Sequence, residues 1–292
     1  MAVTKVENID VTAREIDFVT RFDRNWEQLM DLMGIMRPIR KQAGTVLKSK
    51  TASVTLESGS VAEGGEIPYS TATVKETVYD DISVEKYRKG VTIEAINKYG
   101  YDVAVAKTDE AFLFELQDNV TTRFYTYLAT GTLTSAEATF QMALAKAKGN
   151  VLNKFKEIKR TVTDVVAFVN VNDFYSYLGG ADITVQTSFG LTYVQNFMGY
   201  KTIFLCSDNE IASGKVIATP VDNIDLYYVD PSDSDYSKAG LVYTVAGETN
   251  LIGFHTEGNY GTAVSDSFAL MGLTLFAEYL DGIAVVEIDD NF

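Results

Sequence analysis

The 292-residue sequence has little of what disulfide scaffolds, metal sites and many hydrolases need, with one cysteine and one histidine. A single cysteine, Cys206, excludes an internal disulfide framework and agrees with folding in the reducing cytosol. A single histidine, His255, removes most arrangements in which histidine activates a serine or cysteine nucleophile, or in which several histidines bind a metal. We therefore expect His255 to be a packed or surface side chain, and we expect no cofactor.

Positive charge is also scarce, because 25 lysines and arginines stand against 40 aspartates and glutamates, for a net charge of −15. Proteins that grip nucleic acid need clustered cations to neutralise phosphates, so any relation to DNA should be indirect. No apolar run has the length of a bilayer span, and the first ten residues lack the pattern of a signal peptide. We expect no membrane association. The hydrophobic content of 46% suffices for two lobes.

The dominant pattern is a predicted helix over residues 101–130, about 40 Å long at the usual helical rise. Apolar residues recur at spacings of three, four or seven, as expected for one buried stripe. The stripe consists of Val103, Ala106, Leu113, Leu116, Val120, Phe124 and Tyr127. The opposite side carries Lys107, Glu110, Asp118 and Thr121. Gly131 suits a left-handed turn beyond the helix end. We expect a helix of this length to serve as a rigid structural support.

Other elements follow from capping and alternation. Thr12 and Glu15 form a predicted capping box for an N-terminal helix, and Thr134 and Glu137 form one for a helix that continues to about residue 158. The apolar stripe of the N-terminal helix comprises Ile16, Val19, Phe22, Trp26, Leu29 and Met33. Residues 46–87 alternate as a long β-hairpin, interrupted by the glycine-rich GSVAEGGEIP. A two-stranded ribbon is marginal in water, so this hairpin needs a surface to lie on.

The second half is predicted to be α+β, without a regular βαβ repeat. DVVAFVN is a buried strand, and Asn172 or Asp173 caps the helix DFYSYLGG that follows it. Further strands are predicted at KTIFLCS, GKVIAT, NIDLYYVD, GLVYTVA and DGIAVVEI. The segment FHTEGNYGTAVSDSFALMG has no clear assignment. Its pattern favours neither a helix nor a strand.

The order of these elements resembles that of the major capsid proteins of tailed bacteriophages with the HK97 fold. The similar pieces are EGGEIP at the hairpin tip, YLATG at the end of the long helix, VVAFVNVNDFYSYLGG, GYKTIF, GKVIATPVDNI and the closing DGIAVVEI. The resemblance covers nearly the whole chain, and its specificity lies in the combination and order of the pieces.

The resemblance implies an HK97-like α+β fold whose parts can be numbered in this chain. Residues 1–33 would be an N-arm with its helix, residues 44–88 the extended E-loop, and residues 89–160 a peripheral domain containing the spine helix 100–131. Residues 161–262 would form an axial domain, and residues 263–292 would return to the peripheral domain.

The implied function is a structural one without catalysis: a major capsid protein that assembles into the icosahedral shell around a phage double-stranded DNA genome. It would form hexamers and pentamers in the host cytoplasm, reside in the virion, and work with a portal protein. No long N-terminal scaffold segment is recognisable, which implies a separate scaffolding protein. Two alternatives are an encapsulin-type nanocompartment of the same fold and a carboxylate-dependent hydrolase.

Two basic stretches, residues 37–50 and 146–160, contrast with an acidic stretch at residues 208–235. They are either solvated faces or complementary surfaces of repeated subunits, and the second interpretation predicts contacts between subunits. The predicted contact residues are Arg37, Arg40, Lys41, Lys48, Lys50, Glu57, Glu63, Glu66, Asp222, Asp225 and Asp230. Residues 230–235, DPSDSD, lack the glycine and the final glutamate of an EF-hand, so we expect a solvated loop there.

Overall fold

A computed structural model describes residues 14–22, 24, 39–179, 185–188, 190–245 and 250–289. Residues 14–22 are helical and are called α1. The further helices are α2 (Ile93–Tyr99), α3 (Lys107–Leu128), α4 (Phe140–Glu157), α5 (Val171–Leu178) and α6 (Ser234–Lys238). The strands are β1 (Ile39–Lys41), β2 (Val46–Thr55), β3 (Thr71–Asp81), β4 (Glu85–Thr92), β5 (Leu133–Glu137), β6 (Val165–Asn170), β7 (Gln186–Ser188), β8 (Leu191–Gln195), β9 (Thr202–Cys206), β10 (Lys215–Pro220), β11 (Ile224–Val229), β12 (Ile252–Asn259), β13 (Val264–Met271), β14 (Leu273–Ala277) and β15 (Ala284–Ile288).

A mixed sheet with the strand order β5-β15-β10-β6-β9-β8-β7 separates two apolar cores. Every residue of β6 is buried, and its side chains alternate between the two cores. Phe168 points to the core that contains α3, whereas Val169 points to the core that contains α4. A strand covered by a helix on each face reads as a continuous apolar run, which is the pattern of DVVAFVN.

The long helix is confirmed from Lys107, but it is preceded by a π-helical segment at Asp102–Ala106. A π turn takes an extra residue and shifts the phase of what precedes it. Val103, predicted to be buried, is therefore 51% exposed, and Val105 is buried in its place. At the other end, Gly131 does not adopt the left-handed conformation that was predicted. A Cβ atom there would lie 2.8 Å from the carbonyl oxygen of Ile283, so close approach requires the glycine.

The polar side predicted for α3 is wrong at Thr121, which is buried. The hydroxyl of Thr121 donates a hydrogen bond of 2.9 Å to the carbonyl of Gln117, one turn earlier. Because this hydroxyl is hydrogen-bonded within the helix, Thr121 can be buried in the core without leaving an unsatisfied polar group.

Two predicted helix caps are wrong, and in both cases pairing in the sheet decides the outcome. Thr134 and Glu137 lie in β5, which pairs in parallel with β15. The cap of α4 is Thr139, whose side chain accepts a hydrogen bond from the backbone N–H of Met142. The cap of α5 is Asn170, the last residue of β6, and its side chain accepts from the backbone N–H of Asn172 at 2.8 Å.

The remaining strands form three smaller sheets. The unassigned segment around residues 254–272 forms the antiparallel pair β12 and β13, and β4 extends this sheet beside β13. The strand predicted at GLVYTVA is wrong, because its described part is irregular apart from one bridge between Thr244 and Phe254. Strands β1, β11 and β14 form a third sheet, and β2 and β3 form the predicted hairpin.

The predicted domain division does not follow the boundaries of the large sheet. Strands β5 and β15 lie outside residues 161–262, yet both belong to the sheet built around β6. Helix α4, predicted to lie in a peripheral domain, packs on β10 and β15. The division into peripheral and axial domains therefore stays a prediction.

The N-terminal helix is confirmed over residues 14–22, with differences in detail. Phe18, Val19 and Phe22 are buried, but Ile16 is 47% exposed. The carboxylate of Glu15 is bound by Thr256 and Thr244, as described below, and its predicted capping box with Thr12 stays a prediction. Thr12, the remaining stripe residues Trp26, Leu29 and Met33, and the rest of the predicted N-arm lie outside the described residues.

Candidate assembly surface

The hairpin β2–β3 has one apolar face and one polar face. Residues directly opposite each other across the two strands share a face, and the register pairs Val54 with Ala72 and Ala52 with Val74. The same face continues to Val78, which lies opposite Lys48. The other face, one residue out of phase, carries pairs of hydroxyl residues, including Ser53 with Thr73 and Thr55 with Thr71.

The apolar face is exposed in the single chain. Val54, Val74 and Val78 are 53%, 65% and 57% exposed. Toward the tip, Leu56, Ile67 and Tyr69 are also largely exposed. The hairpin is attached at its base, where Ile82 is fully buried in a small cluster with Val229, Val84 and Tyr227. A long ribbon therefore leaves the body of the protein with its apolar face uncovered.

Charged residues lie on both faces of the hairpin and at its tip, and Lys48, Lys50 and Glu76 share the face of the valines. Lys48 and Lys50 both pair with Glu76, at 2.7 Å and 3.4 Å. The hydrogen bond from Lys48 lowers the pKa of the Glu76 carboxyl. At the tip Glu57, Glu63 and Glu66 are exposed. Among the residues that the structure describes, none forms an ion pair with these three carboxylates.

The other predicted contact residues lie around β1 and β11. The guanidinium of Arg40 pairs with Asp230 at 2.9 Å and with Asp233 at 3.5 Å. Lys41 lies over the ring of Tyr227, 5.5 Å from its centre. Arg40 and Asp230, predicted to reach a neighbouring subunit, thus already have partners within one chain.

Three predicted positions complete this set. Burial raises the pKa of Asp225, and the nearby carboxylate of Glu278 adds to the effect. Asp222 lies in a short 3-10 turn, Val221–Asn223, but its side chain is outside the described part of the structure, as is the whole of Arg37. Contacts between subunits through any of these residues remain predictions.

Solved structures that resemble this chain identify its fold. The capsid asymmetric unit of cyanophage A-1(L) matches with a TM-score of 0.55 and 14% sequence identity, over 89% of this chain and 92% of that chain. The chain has the HK97 capsid fold.

Two further particles are similar to the chain to a comparable degree. The holo-SrpI encapsulin complex from Synechococcus elongatus matches with a TM-score of 0.52 and 11% identity, over 89% of this chain and 88% of that chain. A virus-like particle from Pyrococcus furiosus matches with a TM-score of 0.50 and 12% identity, over 93% of this chain and 98% of that chain. No family model and no curated protein matches the sequence.

Within this HK97 fold, α1 is held by charged groups that are largely buried. Arg14 binds the carboxylate of Asp109 on α3 and donates a 2.7 Å hydrogen bond to the hydroxyl of Ser267 on β13. Lys89 on β4 binds the same carboxylate. Burial lowers the pKa of Lys89, and the bond to Asp109 opposes this effect. One carboxylate therefore joins α1, α3 and β4.

The next residue of α1 makes a second anchor. The Glu15 carboxylate accepts hydrogen bonds from the backbone N–H and the hydroxyl of Thr256 on β12, and from the hydroxyl of Thr244. Phe18 stacks on Phe254 with ring centres 3.9 Å apart. Sequence reasoning missed both anchors. The available signal was a pair of adjacent charged residues, Arg14 and Glu15, beside an apolar stripe.

The remaining candidates for hydrolytic or metal-dependent chemistry are His255 and the carboxylates of residues 230–235. The described residues contain no group of three or more histidine, cysteine, aspartate or glutamate side chains placed to hold a metal ion. His255 is 40% exposed, and its Nδ1 lies 3.8 Å from Glu15. Asp230 and Asp233 each accept a hydrogen bond from a backbone N–H two residues ahead, as in a capped turn. In the described ranges, no helix is both long and apolar enough to cross a membrane.

A groove of about 470 Å³ runs between α3 and the start of β8. Its described lining residues are Phe114, Gln117, Asp118, Thr121, Gly190, Leu191 and Glu210. Phe114 is 56% exposed, whereas Gln117 and Leu191 are buried. The groove therefore combines an exposed aromatic ring with two carboxylates.

Proposed function

We propose that this chain is a major capsid protein that assembles into an icosahedral shell around phage double-stranded DNA. The observation that carries the proposal is the exposed apolar face of the hairpin β2–β3. A two-stranded ribbon is marginally stable by itself, and three valines on one face would remain in contact with water. Covering each of these half-exposed side chains would contribute about 1 kcal/mol. A second copy of the chain would supply the cover.

Repetition of this contact is what a shell requires. A ribbon that leaves one subunit and lies on the next forms a heterologous contact, which closes into rings when the rotation between subunits permits it. We infer hexamers and pentamers as the rings, with the virion as the final location. A scaffolding protein and a portal protein are proposed as partners on the likeness to phage capsids. The net charge of −15 favours a shell that encloses DNA without many direct contacts to its phosphates.

A nanocompartment with a protein cargo is the second candidate function. It is favoured by the similarity to the encapsulin from Synechococcus elongatus, which is comparable to the similarity to the cyanophage capsid. The contents of purified particles separate the two candidates. Nuclease-resistant DNA supports the capsid, whereas a co-purified protein without DNA supports the compartment.

Two single substitutions test the role of the hairpin. Val74→Asp places a charge on the apolar face, and Thr73→Asp places the same charge on the adjacent residue of the other face. We expect Val74→Asp to prevent particles in negative-stain electron microscopy, and Thr73→Asp to leave them intact. Circular dichroism checks that both subunits are folded. Particles of normal number from Val74→Asp would contradict the proposal.

A further inference from the structure

The groove along α3 carries two carboxylates that no described cation neutralises. Asp118 and Glu210 both line it, and neither forms an ion pair with a lysine or arginine in the described ranges. Glu210 accepts hydrogen bonds from the backbone N–H and the hydroxyl of Ser207, which fix the carboxylate in place. Glu110 and Glu115 lie on the exposed side of the same helix. The local potential is therefore negative, and it attracts cations.

Apolar and aromatic groups of the groove fit the same kind of ligand. The ring of Phe114 is about half exposed, and an aromatic face beside carboxylates favours a guanidinium, which stacks on the ring while it binds the acid. Leu191 offers apolar contact next to it. The Nε2 atom of Gln117 is buried without a hydrogen-bond partner among the described residues. A polypeptide ligand would bring carbonyl acceptors close to this donor.

We propose that this groove binds an arginine-bearing, partly apolar segment of a separate partner protein. A second copy of the chain is the weaker fit, because most of its described arginines already pair with carboxylates of the same chain, among them Arg40, Arg88 and Arg123. The exposed lysines on the apolar hairpin face, Lys48 and Lys50, already share Glu76. The site goes beyond the proposed shell contacts, since the hairpin face and the groove are different surfaces of the subunit.

Peptide binding to the full chain tests the proposal. The probe is a fluorescein-labelled peptide of two Arg-Leu-Gly-Arg-Leu-Ser repeats, and the comparison peptide has glutamate in place of arginine. Fluorescence anisotropy is measured near physiological salt, where long-range attraction is largely screened. We expect binding of the arginine peptide, and an affinity at least about ten-fold lower for the glutamate peptide.

Matched variants locate the site. Asp118→Asn removes a groove charge, and Glu115→Gln removes an exposed charge of the same helix outside the groove. We expect Asp118→Asn to weaken the arginine peptide about ten-fold, and Glu115→Gln to change its affinity less than about two-fold. Phe114→Ala should also weaken binding of the arginine peptide. Equal losses for Asp118→Asn and Glu115→Gln would overturn the proposal, because the attraction would then belong to the whole surface.

Sedimentation of the same variants keeps this proposal separate from the shell proposal. If Asp118→Asn stops particle formation and leaves peptide binding unchanged, the groove is a contact between copies and the partner proposal is wrong. If the variant forms normal particles and loses the peptide, the partner site is supported. If the unmodified chain binds the peptide but never forms particles, the shell proposal is wrong and the groove proposal still holds.

Discussion

The carboxylate of Asp109 is one of the groups that hold the N-terminal helix in place. It is 5% exposed and binds both Arg14 and Lys89, which are themselves 13% and 16% exposed. Without it, Arg14 and Lys89, two largely buried cations from different elements, would lose the carboxylate that they share. Removing one partner of a buried ionic group usually destabilises a protein much more than the group stabilised it.

We therefore expect Asp109→Asn to lower the free energy of unfolding by about 3 to 5 kcal/mol. Chemical denaturation of the isolated subunit measures the loss. Glu110→Gln, the next residue on the exposed side of α3, is the control and should change stability by less than about 0.5 kcal/mol. An Asp109→Asn subunit as stable as the control would show that α1 is held by its apolar contacts alone.

Cys206 illustrates how packing controls reactivity. Burial raises the pKa of its thiol to about 12. The thiolate is the reactive form, and near pH 8 its share would be about one part in ten thousand. We expect iodoacetamide to leave the native subunit unmodified and to alkylate it fully in guanidinium chloride, as measured by intact mass. Rapid alkylation of the native subunit would contradict the buried placement.

At the scale of elements, the hairpin and the large sheet have opposite relations to the rest of the chain. Strand β6 is covered on both faces within one subunit. Strands β2 and β3 contact mainly each other, and their joint face stays exposed. The sheet is thus covered within one chain, whereas the hairpin face is left uncovered and is the surface that the proposed shell contact would bury.

Limited proteolysis should distinguish the hairpin in free and assembled subunits. The segment between β2 and β3, residues 56–70, lacks strand pairing and has exposed residues throughout most of its length. We expect cleavage there in the free subunit, because local opening costs little where few apolar contacts hold the chain. Particles should resist the same protease, since a neighbour covers the hairpin. Cleavage at the same rate in both states would contradict this assignment.

At the scale of the whole molecule, the proposed assembly would have to overcome the repulsion between copies that each carry a net charge of −15. Screening weakens this repulsion, while apolar contacts are maintained or strengthened. We expect the yield of particles to rise as sodium chloride increases from about 0.05 to about 0.5 M. Light scattering and sedimentation measure the yield. A yield that falls with salt would contradict this expectation and would favour the interpretation of residues 37–50 and 208–235 as complementary surfaces joined by ion pairs.

Sequence patterns alone were sufficient for the elements whose signals are local. The spacing of apolar residues predicted α3, the apolar run predicted β6, and alternation predicted the hairpin, because each pattern depends on residues a few positions apart. Scarcity of histidine and cysteine argued against most catalytic and metal sites. The order of elements predicted the fold that the structural comparisons show.

Tertiary structure alone decided the features that join distant parts of the chain. Asp109 meets Arg14 across 95 residues, and Arg40 meets Asp233 across 193 residues, so no local pattern could pair them. Pairing with β15 turned Thr134 and Glu137 from a predicted helix cap into strand residues. Local preferences amount to about 1 kcal/mol or less per residue, and the burial of a strand in a sheet outweighs them. Long-range packing therefore determined which of the local signals prevailed.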